Sequence, residues 1–135
     1  MEPSLNIIKA ILLLDNDGNR LLAKYYDDQF QSIKEQKAFE KSLFTKTHKA
    51  NAEIIMLDGL TIVYRSSVDL FFYVVGSNRE NEIILSSVLN CFYESISQIV
   101  RKHLEKKYLI DNMDSVILAL DEICDGGILL ETGIK

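Results

Sequence analysis

Hydrophobic and polar positions change their period several times along this chain, and each change marks an element. Ile7 to Leu14 is apolar apart from Lys9, which predicts a strand covered on both faces. Asp15-Asn16-Asp17-Gly18-Asn19 is dense in residues that tolerate positive φ, and predicts a hairpin turn with Arg20 to Tyr26 returning as the second strand. From about Gln31 to His48 the period becomes helical, and Ile33, Phe39, Leu43 and Phe44 fall within an arc of about 140°. Gln36 and Glu40 share that arc. The stripe is therefore imperfect, and predicts a half-covered helix whose mixed face suits a partner.

Three further strands are predicted at Glu53–Leu57, Leu60–Arg65 and Asp69–Val75, with turns at Asp58-Gly59 and Ser66-Ser67. The run Leu70-Phe71-Phe72-Tyr73-Val74-Val75 has no polar alternation, so both its faces should be covered. Gly76-Ser77-Asn78 ends it, and a long helix follows from about Glu80 to Glu105, with acids in its first turn and Lys102, Lys106 and Lys107 near its end. Its apolar positions span an arc of about 220°. One sheet covers little more than half a helix, so a second body must lie against it. A last helix, from Asn112 or Asp114 to Cys124, is the internal candidate, and a partner is the other; Gly126-Gly127 stops that helix. The order β-β-α-β-β-β-α-α predicts an α+β fold, a five-stranded antiparallel sheet sandwiched by helices, in a single domain over residues 1–135.

Charge excludes some functions. Fifteen Lys and Arg against twenty Asp and Glu give a net charge of −5, which argues against a nucleic-acid binder because neutralising phosphates needs a basic face. The longest stretch without a charge, Ile83 to Tyr93, falls well short of the roughly 18 residues of a membrane span. Met1-Glu2-Pro3-Ser4 has neither the positive start of a signal peptide nor a Gly for myristoylation. The only two cysteines, Cys91 and Cys124, are too far apart in sequence for a metal-binding pair. A soluble cytosolic domain is expected.

No constellation points to catalysis. An EF-hand needs ligands two residues apart before its Gly and a Glu six residues after it, but here Leu13 and Lys24 would hold the first and last positions. Asp27-Asp28 and the group Asp121, Glu122 and Asp125 read as solvated acids. His48 and His103 stand alone beside lysines, and Cys91 and Cys124 fall on apolar helix sides as small core residues. Gly126-Gly127 follows a helix, whereas phosphate cradles precede one. No catalytic residue, cofactor or metal is expected.

The strings Arg20-Leu21-Leu22-Ala23-Lys24-Tyr25-Tyr26, Gly59-Leu60-Thr61-Ile62-Val63-Tyr64-Arg65, Leu70-Phe71-Phe72-Tyr73-Val74 and Leu120-Asp121-Glu122-Ile123 resemble the small chains of the clathrin-adaptor and coatomer complexes. Asp15-Asn16-Asp17-Gly18, Lys34-Glu35-Gln36-Lys37-Ala38-Phe39-Glu40 and Asp121-Glu122-Ile123-Cys124-Asp125-Gly126-Gly127 are similar to the zeta branch of that family. The resemblance spans nearly the whole chain. It implies a longin-like fold and a non-catalytic subunit of the COPI vesicle coat, acting in Golgi-to-ER and intra-Golgi transport. The implied partners are the large gamma subunit of coatomer and, through it, the rest of the coat, with an Arf-type GTPase recruiting the assembly to the Golgi membrane. The implied location is cytoplasmic, peripheral on Golgi and COPI-vesicle membranes. Members of the family usually continue beyond a point such as Lys135.

Phe39, Leu43 and Phe44 on the first helix and Tyr93 on the second are the expected partner-binding residues. The alternative is another longin-type trafficking module, a SNARE regulatory domain or a tethering-complex subunit; a SNARE would need a coiled-coil segment after the domain, and none follows in this sequence. The sigma chains of clathrin adaptors carry an Arg immediately before a Leu-x-Lys-aromatic-Tyr string. Leu21 stands at that place here and Arg20 one residue earlier, which turns the guanidinium to the other face of the strand. Val68 and Leu70 match the apolar pocket of those chains, while Tyr93 and His103 bring larger or more polar groups. Capture of acidic dileucine peptides is therefore not expected.

Overall fold

The computed structural model describes residues 8–25, 32–48, 53–57, 59–67, 69–77, 82–100 and 105–122. Tyr26, Asp27, Asp28, Asp58, Val68, His103, Cys124, Asp125 and the pair Gly126-Gly127 lie outside those residues. The elements are β1 (Ile8–Asp15), β2 (Arg20–Tyr25), α1 (Ile33–Thr47), β3 (Ile54–Leu57), β4 (Leu60–Ser67), β5 (Leu70–Ser77), α2 (Glu82–Val100), α3 (Lys106–Asp111) and α4 (Met113–Glu122). The strands form one antiparallel sheet in the order β2-β1-β5-β4-β3.

The two runs without polar alternation, β1 and β5, are neighbours in the sheet's interior, where both faces are covered. Ile11, Leu13, Phe72 and Val74 face one side, and Ala10, Leu12, Leu14, Tyr73 and Val75 the other. The β1–β5 register shifts between Ile8 and Ala10. That extra residue returns Ile8 to the face of Ile11 and Leu13.

Each face has its own helical cover. On one lies α1, opened by a capping box in which Ser32 Oγ accepts from the Glu35 N–H at 3.1 Å and Glu35 Oε1 accepts from the Ser32 N–H at 3.2 Å. Its Phe39 and Leu43 pack beneath it onto the sheet. At its end Thr47 Oγ1 donates to the Leu43 carbonyl at 2.8 Å, so its oxygen accepts from Tyr73 Oη at 2.7 Å. On the other face α2 buries Leu85, Val88, Leu89, Phe92, Ile96 and Val100. Phe92 meets Phe72 edge to face, with ring centroids 5.4 Å apart.

Leu109 of α3 and Val116 and Leu120 of α4 join the same core, so the chain itself covers much of the excess apolar arc of α2. By length and composition α2 could cross a membrane, since an 18-residue window within it has a mean hydropathy of 1.4. This goes beyond the charge-free stretch read from the sequence, because Glu94 alone interrupts the helix's apolar part. Its apolar side nevertheless lies against the sheet.

Two boundaries differ from the sequence reading. Ser66 and Ser67 are strand residues paired with Phe71 and Leu70, so the β4–β5 turn falls two residues later than expected. Pairing with the long β5 draws β4 past its polar residues. The long helix read to about Glu105 is α2 only as far as Val100 among the described residues; Glu105 is extended, so instead of closing α2, Lys106 and Lys107 open a separate helix, α3. Its N-cap, Glu105, makes no side-chain cap, and the Lys106 N–H is instead accepted by Asp69 Oδ1 at 2.9 Å, from the β4–β5 turn. A cap supplied 37 residues away leaves no local signature.

Candidate functional site

The acid-rich turn closes on itself. Asp15 Oδ1 accepts from the N–H groups of Asp17 and Asn19, both at 2.9 Å, and the Gly18 N–H donates to the Asp15 carbonyl at 3.0 Å. Gly18 has φ +86°, and a Cβ there would lie 2.8 Å from Phe44 Cδ2. Only glycine meets both conditions. Asp15 is buried, and its Oδ2 accepts from Lys106 Nζ at 2.8 Å. Burial alone would raise this carboxyl, but the bonds from Lys106, Asn19 and Asp17 outweigh it and hold it below the ordinary aspartate value.

Behind the turn, β2 and α1 share a polar cluster. Arg20 Nε donates to Glu40 Oε1 and Oε2 at 3.2 and 3.1 Å, and its Nη2 donates both to Glu40 Oε2 and to Gln36 Oε1, the latter at 3.0 Å. Tyr25 Oη donates to Glu40 Oε2 at 2.8 Å. Glu40 is 3 % exposed. These are the two residues that spoilt the apolar stripe of α1, and a buried intramolecular acceptor explains both. Burial works against the Arg20 cation, yet Glu40 more than offsets it and the pKa rises. Burial and then the Glu40 carboxylate push the Tyr25 phenol far above its usual range. Arg20 and Tyr25 thus keep their protons near neutrality, and the cluster positions rather than transfers them.

The four expected partner-binding residues do not form one patch. Phe39 and Leu43 are 4 % and 0 % exposed, because the α1 face of the sheet needs exactly such side chains to cover it. They are core residues of the chain, and their apolar area is already spent. Phe44 is half-buried, stacked on His48 with centroids 4.8 Å apart and edge-on to Phe71 at 5.5 Å. Tyr93 is half-buried across the sheet, 5.0 Å from Phe72, with the Arg65 guanidinium carbon 3.6 Å from its ring centroid. Sequence periodicity assigned these residues to helix faces but could not say which face the sheet would take.

His48 is exposed, with Nδ1 2.9 Å from the Phe44 carbonyl, and Cys91 lies partly buried at the edge of the α2 core. Among the described residues no group of three or more His, Cys, Asp or Glu is arranged to hold a metal ion. Asp121 and Glu122 fall on the last turn of α4.

Sequence comparison gives these surfaces a context. Residues 7–135 match the clathrin adaptor complex small chain family. The chain is 60 % identical over 132 residues to human coatomer subunit zeta-1, covering 98 % of this chain and 75 % of that protein. It is 59 % identical to mouse coatomer subunit zeta-2, over 97 % of this chain and 64 % of that one. Coatomer subunit zeta-1 of Oryza sativa subsp. japonica is 47 % identical, over 93 % of this chain and 73 % of the rice protein. In fold, the chain matches one chain of a structure described as a homology model of the full-length AP-3 complex in a stretched open conformation. There the TM-score is 0.73 at 19 % identity, covering 93 % of this chain and 86 % of the other. With a longin-like sheet between helices and this sequence likeness along nearly its full length, the chain belongs to the clathrin adaptor complex small chain family, in its coatomer zeta branch.

Proposed function

We propose that this chain is a non-catalytic structural subunit of the coatomer (COPI) vesicle coat, held as a constitutive heterodimer by the large gamma subunit. In this reading an Arf-type GTPase recruits the assembled coat from cytoplasm to the Golgi membrane, for Golgi-to-ER and intra-Golgi transport. The observation that carries it is the 60 % identity to coatomer subunit zeta-1 over 98 % of this chain. Large apolar side chains left in water support a protein partner: Ile83 is 84 % exposed and Leu118 70 %, and Ile110 on α3 and Ile117 on α4 are also exposed. A net charge of −5 gives the chain little attraction to anionic lipid, so the membrane contact falls to its partners.

Co-expression with a gamma-type trunk, followed by size exclusion and heat denaturation, tests the pairing. The two chains should elute together, and burial of the shared surface should raise the melting temperature of this chain by several degrees through linkage. Separate elution at micromolar concentration with unchanged melting would overturn the heterodimer.

A further inference from the structure

The β1–β2 hairpin and α1 enclose a cleft of about 280 Å³ on the opposite side of the sheet from α2, and neither the coat assignment nor the gamma pairing gives it a role. Its size suits one or two side chains rather than a cofactor. Three cations line it: Arg20 at the polar cluster, and Lys37 and Lys41 one helical turn apart on α1. Lys37 and Lys41 are exposed and make no ion pair or hydrogen bond among the described residues. Arg20 spends Nε and Nη2 on Glu40 and Gln36, and its Nη1 donates to nothing among the described residues.

Two acids also line the cleft. Glu40 already accepts from both Arg20 and Tyr25, and Asp17 stands exposed at the rim. Three cations against two acids leave the cleft positive in a chain that is negative overall. Phe44 lines the same cleft, held in place by Gly18 and the stacked His48.

We propose that this cleft docks a partner protein's acidic segment, an Asp or Glu carboxylate between Arg20, Lys37 and Lys41 with an adjoining apolar side chain on Phe44. The unspent Nη1 of Arg20 can donate to one carboxylate oxygen, and the two lysine ammonium groups supply point charges for the rest. The neighbouring Glu40 and Asp17 disfavour a dianionic phosphate, and a concave site with acids in its wall does not present its cations to a flat membrane.

The test is a ¹⁵N-NMR titration of the 135-residue chain with the peptide Gly-Ser-Asp-Glu-Phe-Leu-Ser-Gly and its Asn-Gln counterpart. Saturable shifts confined to Gly18, Asn19 and the Lys37–Phe44 turn are expected for the acidic peptide alone. They should weaken about tenfold in Lys37→Ser/Lys41→Ser and be preserved in Lys34→Ser/Lys46→Ser, which removes the same charge elsewhere on α1. All four lysines are exposed, so both variants should melt like the parent. Absence of saturable shifts, or equal weakening in the two double variants, would overturn the site. So would stronger binding, through the same two lysines, of a phosphoserine peptide or of phosphatidylserine vesicles. None of these outcomes bears on co-elution with a gamma-type trunk.

Discussion

Glu40 shows how much one side chain can decide in a small fold. It sits 3 % exposed on the sheet-facing side of α1, yet it accepts hydrogen bonds from Arg20 and Tyr25, so neither its charge nor that of Arg20 is stranded. Removing the charge leaves Arg20 facing a weaker acceptor in a half-buried place. Glu40→Gln should lower stability by about 2 kcal/mol, below the cost for a fully dry pair because Arg20 remains about a quarter exposed. Urea unfolding should show this as a lower midpoint with an unchanged slope. From the sequence, Gln36 and Glu40 looked like defects in an apolar stripe. Their partners, Arg20 and Tyr25, lie 15 to 20 residues back, and no helical wheel contains them.

At the scale of elements, the clasp formed by Asp15, Lys106 and Asp69 ties three separate pieces together. The hairpin carboxylate holds the Lys106 side chain while the β4–β5 turn caps the Lys106 N–H, so the start of α3 is fixed from two sides. The pH dependence follows from the direction of the Asp15 shift. Its folded-state pKa lies below the unfolded value of about 3.8, so the unfolded chain takes up the proton first. The stability it contributes is complete above that unfolded value and is lost as pH falls through it toward the folded-state pKa. Asp15→Asn should therefore be less stable than the parent at pH 7, and the difference should shrink below about pH 4. Thermal melts of both proteins across pH 2 to 7 would measure it; a difference constant across that range would refute the assignment. Lys106 itself keeps its charge throughout, its pKa raised by Asp15.

Across the whole molecule, the sheet separates two surfaces that a linear reading merges. Arg20 works on the α1 side, whereas Leu21 and Leu22 both pack on the α2 side, because the β1–β2 register shifts here and leaves Leu21 as an extra residue that breaks the simple alternation. Leu70, the position that matches the apolar pocket of sigma chains, is 0 % exposed in the α2-side core. An acidic dileucine peptide should accordingly not engage the Leu70 side, and an NMR titration should leave the amides of β5 and α2 around Leu70 unshifted. Saturable shifts there at micromolar affinity would contradict this arrangement.

Local chemistry by itself determined the elements: the apolar runs of β1 and β5, the Asp15–Asn19 turn, the positive φ at Gly18 and Gly59, and the length of α1 to within a few residues. Periodicity, turn residues and capping act over one or two turns, and the residues that set them are adjacent in the chain. The short strings carrying the family likeness were equally legible. Tertiary structure alone decided the pairing of β1 with β5, which brings together strands more than fifty residues apart. It also decided that Phe39 and Leu43 serve the core, that Glu40 belongs to Arg20, and that Asp69 caps α3. Each of these depends on which groups meet after the chain has folded back on itself, and the free energy of such a meeting is written in no single segment.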